Sequence, residues 1–149
     1  MEIRQISGDK RPFLPLLLLG DEQESMIRQY LDRGELFALY EGGAALAVCV
    51  VTDEGGGMFE LKNLAVSPAH QRRGLGRRLV EFAARHCRDL GGQTLLAGTG
   101  DSPLTLPFYH ACGFRELRRE PGYFLRHYDH PIFEGGRQLI DRVDLVLAL

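Results

Sequence analysis

Apolar residues recur at every second position in some stretches of the chain and at every third and fourth in others, which divides it into strands and helices. Glu2 to Ser7 alternates weakly, as an edge strand does. Arg11 to Leu19 is apolar, and Pro15 restricts it to a short helix or one that starts late. Asp21 to Leu31 begins with acids and carries Met26, Ile27, Tyr30 and Leu31 at helical spacing, with Gly34 as a stop. Glu35 to Glu41 and Ala44 to Thr52 flank Gly42-Gly43, which predicts a two-residue hairpin. Gly55-Gly56-Gly57 turns the chain into Met58 to Val66, a further strand that Pro68 ends.

The strongest helical pattern runs from Gly74 to Leu90. Leu75, Leu79, Phe82, Ala83, His86, Cys87 and Leu90 share one face, while Arg77, Arg78, Glu81, Arg85 and Arg88 mostly take the others. Thr94 to Ala97 follows as a short buried strand. Pro103 to Cys112 reads as a helix whose start Pro107 makes irregular, with Gly113 at its end. Two more strands are expected, one near Phe114 to Arg119 or Tyr123 to Tyr128, the other at Asp141 to Leu149. No repeat or linker interrupts this order. The expectation is one α+β domain, residues 1–149, with a mostly antiparallel sheet.

At 149 residues the chain can bury a full core. Its net charge of -2 argues against a general nucleic-acid or membrane-surface binder, so clustered arginines are a local feature. Cys49, Cys87 and Cys112 are widely spaced without a C-x-x-C, which suits reduced thiols and no metal site. The run Leu16 to Leu19 is too short to span a bilayer and lacks a cleavage site after it. The expected location is the cytoplasm.

The chemistry concentrates at Gln71-Arg72-Arg73-Gly74-Leu75-Gly76, where a strand hands over to the long helix. Side-chain-free glycines allow a ligand to approach backbone N–H groups, and the helix start adds unpaired donors and a positive dipole end. A pyrophosphate suits such a cradle. The plainer reading is a tight turn with a solvated basic face formed by Arg72, Arg73, Arg77 and Arg78. Leu79 stands where a dinucleotide fingerprint needs its third glycine, and no Gly-Lys-Ser/Thr is present for a Walker loop.

Gln71-x-x-Gly74-x-Gly76, after Leu64-Ala65-Val66-Ser67-Pro68, resembles motif A of the GNAT superfamily of N-acetyltransferases. Phe108-Tyr109-His110-Ala111-Cys112-Gly113-Phe114 is similar to that family's Tyr-x-x-x-Gly-Phe segment, and the order of elements agrees along most of the chain. Gly98-Thr99-Gly100, Tyr128-x-x-Pro131-Ile132-x-Glu134 and the stretch from there to Leu149 resemble a branch of small bacterial members, mostly without assigned substrates. Asp101 departs from the Asn of that branch, and a carboxylate cannot donate to a cofactor. The resemblance implies six to seven strands flanked by about four helices, with the sheet splayed where acetyl-coenzyme A lies.

Carried over by position, the backbone N–H groups of Arg73, Gly74, Leu75, Gly76 and Arg77 receive the pyrophosphate. Leu64, Ala65 and Val66 form the strand segment whose backbone at Leu64 and Val66 pairs with the pantetheine. Gln71 and Arg78 complete the cofactor set, and Arg72 or Arg73 meets the 3′-phosphate. A strand bulge is expected to free the Leu64 N–H for the oxyanion. Glu60, eleven residues before Gln71, stands where the histone-acetylating branch keeps a general base acting through water, and a strand-lined cleft is expected to raise its pKa. The plainer reading of Glu60 is a solvent-side strand residue. Tyr109 matches the family tyrosine that protonates or holds the leaving thiolate, and without that match it reads as a core aromatic.

On the acceptor side the resemblance points to the first helices and the loop before the last strand. Asp21, Glu22 and Glu24 lie there, followed by Tyr123, Phe124, Tyr128, Phe133 and Glu134. Acids among aromatics suit a cationic amine, small or on a peptide, whereas Asp21 and Glu22 by themselves read first as a capped helix start and the aromatics as core residues. The function expected is acetyl transfer to a primary amine in a ternary complex, the alternative being a non-catalytic acyl-coenzyme A-binding module. The closing strand is apolar enough either to pair across a homodimer or to lie inside the sheet of a monomer.

Overall fold

Hairpins dominate the first half of the computed structural model, which describes every residue from Met1 to Leu149. Strand β1 (Glu2–Ile6) leads through a 3-10 turn into helix α1 (Leu14–Gly20), with Pro15 in its first turn, where a missing N–H costs nothing. Helix α2 (Glu24–Arg28) precedes β2 (Glu35–Glu41), β3 (Ala44–Gly55) and β4 (Met58–Val66). Helix α3 (Leu75–Asp89), β5 (Thr94–Gly100), α4 (Leu106–Ala111) and β6 (Arg115–Glu120) follow. The chain ends with α5 (Tyr123–His127), a small hairpin of β7 (Phe133–Glu134) and β8 (Arg137–Gln138), and β9 (Arg142–Ala148).

Seven strands form one sheet in the order β1-β2-β3-β4-β5-β9-β6, and only β4 and β5 run parallel. Both faces are covered. Leu75, Leu79, Val80, Ala83, Ala84 and Cys87 of α3 join Phe37, Leu39, Cys49 and Leu61 in one buried cluster. On the other face Leu17 of α1, Ile27 of α2 and Tyr30 pack with Leu36, Ala38, Val48, Val50 and Ala65. Successive β2 residues therefore enter different cores, which is why that strand is apolar at nearly every position. Leu79 is fully buried, so Leu79→Ala would cost about 2–5 kcal/mol.

Pairing between β4 and β5 runs only from Met58↔Thr94 to Leu61↔Ala97. A bulge sits at the same point, because Val50 pairs with Asn63 and Val51 with Leu61, leaving Lys62 over. Beyond it Leu64 to Val66 pair with β3 alone, while Gly98 to Gly100 continue along β9. The sheet opens into a V there. This is the expected splay.

Several expectations need correction. The Asp21 to Leu31 helix shrinks to α2, because Asp21 ends α1 and the stretch after Arg28 closes in turns. Lys10 Nζ holds those turns by donating to the Leu31 and Gly34 carbonyls at 2.7 Å. The late strand forms at Arg115–Glu120, while Tyr123–His127 is helical, since Pro121-Gly122 ends the strand and opens the helix. The β7–β8 hairpin is an addition, and five helices accompany the seven-stranded sheet. Strand β9 lies between β5 and β6, so the closing strand is interior rather than a dimer edge. No helix is long and apolar enough to cross a membrane.

Candidate active site

The V opens onto a cavity of about 870 Å³ that runs from the start of α3 to the end of α1. At the α3 end, the backbone N–H groups of Arg73, Gly74, Leu75, Gly76 and Arg77 donate to nothing within the chain, and the first helical bond is Arg78 N–H to Gly74 O at 3.1 Å. The turn that aims them needs a left-handed backbone at Arg72 (φ 63°) and Gly74 (φ 77°). For Arg72, which has a Cβ, this costs on the order of 1 kcal/mol. A Cβ on Gly76 would meet Phe108 at 3.3 Å and Val66 at 3.6 Å, so this glycine also sets how closely α3 approaches α4 and β4. Five free donors at the positive end of a 15-residue helix make an anion site.

The four arginines separate. Arg72 and Arg77 line the cavity, whereas Arg73 turns away to pair with Glu41 at 2.9 Å and Arg78 turns toward Met1 Sδ. Gln71 Nε2 donates to the Val66 carbonyl at 3.3 Å, tying the turn to the strand and occupying a carbonyl expected to face a ligand. The Leu64 and Val66 side chains line the cavity, while Ala65 points into the opposite core. Asp101 lies outside the lining, paired with Arg119 at 2.9 Å.

Midway along the cavity, Tyr109 is buried, packed edge-on against Phe108 and Phe114 at 5.2 and 5.3 Å. Its hydroxyl has no hydrogen-bond partner in the chain, and burial pushes its pKa upward, so it remains a proton donor at neutral pH. Leu64 lies two residues past the Lys62 bulge on the splayed segment, so the bulge expected before it is present. Cys112 also lines the cavity and is half-buried, with its thiol held protonated by burial. Cys49 and Cys87 are core thiols, each pushed up to about 12 by burial.

Glu60 faces the strand-lined cavity inside a charge network. Arg142 Nη2 and Lys62 Nζ both lie 3.1 Å from its Oε2. Arg142 also donates to Asp144 at 2.7 Å and lies over the Tyr123 ring, 5.1 Å from its centre. Glu60, Lys62 and Arg142 line a second, polar cavity of about 240 Å³ as well, which they share with Arg118 and Asp144.

The α1 end has aromatic walls. Phe124 and Tyr128 stack at 5.4 Å, with Tyr123 5.2 Å from Phe124. Tyr128 donates to Asp21 at 2.7 Å and Tyr30 donates to it at 3.2 Å, while Asn63 Nδ2 donates to the Tyr30 oxygen at 3.0 Å. Asp21 does not cap the start of a helix; it closes the end of α1, its N–H donating to the Leu17 carbonyl at 3.0 Å. It leaves the end of α1 in an extended conformation that delivers its carboxylate into the cavity, where burial raises its pKa. Glu22 pairs with His130 at 2.9 Å, and Glu134 accepts from Ser102 at 2.6 Å.

Of the acceptor-side residues expected from the sequence, Asp21, Glu22, Tyr123, Phe124, Tyr128, Phe133 and Glu134 line one cavity, while Glu24 lies outside it and pairs with Arg28. Sequence reasoning missed Tyr30, Asn63, His70 and Arg142, which line it too. Asn63 does carry a signal, being a polar residue inside an apolar strand. Both it and His70 hold a buried polar atom, Oδ1 and Nδ1, without a partner.

Residues 4–114 match the acetyltransferase (GNAT) family. The uncharacterised N-acetyltransferase YvbK of Bacillus subtilis is 38% identical over 135 residues, which cover 90% of this chain and 87% of that one. A Bacillus subtilis acetyltransferase solved in complex with coenzyme A superposes with a TM-score of 0.91 at 36% identity, covering 99% of this chain and 98% of that one. A GNAT acetyltransferase from Elizabethkingia anophelis, solved with acetyl-coenzyme A bound, reaches 0.93 at 29% identity, covering 99% and 97%.

Proposed function

This chain belongs to the acetyltransferase (GNAT) family, and on that premise we propose that it transfers an acetyl group from acetyl-coenzyme A to a primary amine within a ternary complex. The observation that carries the reading is the row of five free N–H groups from Arg73 to Arg77 beside the splay of β4 from β5. These residues fit the cofactor. The row and the Arg72 and Arg77 side chains suit its phosphates, and the edge of β4 that leaves β5 beyond Leu61 suits its amide-bearing arm, with Gln71 yielding the Val66 carbonyl. Bound there, acetyl-coenzyme A supplies an acyl group on a thiolate leaving group.

The chain's own residues supply the rest. Tyr109 gives its hydroxyl proton to the departing sulfur, and the Leu64 N–H holds the oxyanion. Glu60, expected as the base, takes a different part in this reading. Two cations gather on its Oε2, an arrangement that suits a fixed charge holding Arg142 against Tyr123 and so shaping the acceptor wall. Loss of the amine proton falls to a carboxylate without a cation. The unpaired thiols suit a cytoplasmic setting.

The test is thiol release from acetyl-coenzyme A with a panel of primary amines. Amine-dependent release that Tyr109→Phe slows by about 100-fold supports the enzyme. Coenzyme A binding with only slow, amine-independent hydrolysis that Tyr109→Phe leaves unchanged supports a binding module instead.

A further inference from the structure

Of the carboxylates on the acceptor half, Asp21 is held differently from its neighbours. Glu60 has Arg142 and Lys62, Glu22 has His130, and Glu134 has the Ser102 hydroxyl at the rim. Asp21 is partly buried with no arginine, lysine or histidine within 4.0 Å, and it is held by two phenol hydroxyls and the Gln23 backbone. A buried carboxylate without a counter-ion is costly. Gly20 makes the placement possible, since any Cβ there would overlap the Asn63 carboxamide and crowd the Leu64 carbonyl at 2.9 Å. The end of α1 is thereby pressed against the strand beside the reacting segment.

The walls point the same way. Asn63 Nδ2 holds the Tyr30 oxygen in place, while its Oδ1 lies packed against Gly20. A carboxylate lacking a cation, in a cavity walled by Phe124 and Tyr128, makes a receptor for a positively charged nitrogen. Resting on the acetyltransferase reading, we propose that Asp21 receives the ammonium group of a cationic acceptor and takes its proton before attack.

The step balances. An ammonium N–H bond breaks, its electron pair stays on nitrogen, and the proton moves to an Asp21 oxygen. The freed pair forms the bond to the acyl carbon. The second proton that nitrogen then loses replaces the one Tyr109 gives to the leaving sulfur, and Asp21 returns its own to solvent. The groups facing Asp21 are Tyr30 after α2, Tyr128 and Tyr123 around α5, Asn63 on β4 and the adjacent Glu22. Burial keeps both hydrogen-bonded phenols protonated at neutral pH.

Titration calorimetry on the coenzyme A complex with benzylamine and benzyl alcohol, alike in size but not in charge, tests the assignment. The wild type should bind the ammonium at least about 10-fold more tightly than the alcohol, and Asp21→Asn should abolish that preference. Tyr128→Phe, which leaves the carboxylate in place, should retain it. Equal binding of the two probes by the wild type, or a preference that survives Asp21→Asn, overturns the proposal. Failure of coenzyme A itself to bind overturns the acetyltransferase reading beneath it, a separate outcome of the same titration.

Discussion

At the Arg73–Arg77 end the cavity is lined by backbone N–H groups, whereas at the Asp21–Tyr128 end it is lined by side chains from four separate segments. Helix α3 and the turn before it set the first end almost alone. The second needs α1, the residues after α2, β4 and the residues after α5 to meet. Donors built from backbone tolerate most side-chain changes but not a change in chain path. A pocket built from side chains can alter its chemistry one residue at a time while the fold stays constant. The backbone end is thus fixed in construction and the side-chain end open to specialisation.

The largest predicted effect tests the backbone end. Gly76→Glu places a side chain against Phe108 and Val66 and a negative charge at the free donors, and coenzyme A affinity should fall by more than about 100-fold. Thermal melting checks that the variant folds. Retained affinity would mean the cradle is not the coenzyme A site. Tyr109→Phe, between the two ends, should lower kcat by about 100-fold with coenzyme A affinity changed by less than about 3-fold. A matching loss of affinity would reduce Tyr109 to a packing residue.

The side-chain end is sharpened by making the same isosteric change at two carboxylates. Burial raises the pKa of Asp21, and a base must be unprotonated to act. The kcat/KM for a cationic acceptor should therefore fall as pH drops through that raised value, and Asp21→Asn should remove this acidic limb. Stability gives a second sign. Because the folded chain holds the Asp21 proton longer than the unfolded one, this group's contribution is lost as pH rises from the ordinary carboxylate value through the raised one. Asp21→Asn should thus be neutral or stabilising by about 1 kcal/mol at neutral pH. Glu60→Gln, which leaves Arg142 and Lys62 short of an anion, should cost about 2 kcal/mol in denaturant melts. Equal destabilisation by both changes would erase the distinction between the carboxylates.

The smallest effect separates the arginines. Arg72→Ala, which removes a cation from the lining, should weaken coenzyme A by about 5-fold, while Arg73→Ala loses mainly an exposed pair with Glu41 and should change it by less than about 2-fold. Using dephospho-coenzyme A should shrink the Arg72 effect if that side chain meets the 3′-phosphate.

The same contrast governs what could be read from the chain. The cradle is local, so Gly74, Gly76 and the amphipathic face of α3 were legible as spacing within about five helical turns of sequence. The β4–β5 splay followed from the resemblance, and the two glycines of the first hairpin set its register. The acceptor end was legible only as a set of residue types. Asp21 reads as a capped helix start until α1 is known to end at Gly20, and Glu60 reads as a lone carboxylate until β9 brings Arg142 to it from 82 residues away. Tyr123 to Tyr128 reads as an alternative place for the late strand, because nothing in its own pattern shows that Pro121-Gly122 ends that strand and opens a helix. Contacts between residues distant in sequence carry no local periodicity.

The central claim is that free backbone donors at the start of α3 hold coenzyme A while the opposite end of the cavity receives an amine. Titration calorimetry of the wild-type protein with coenzyme A tests it most directly. The account predicts one site per chain with a Kd on the order of 1–100 μM, weakening as salt is raised. No binding heat at millimolar coenzyme A, or binding that Gly76→Glu leaves intact, would contradict it.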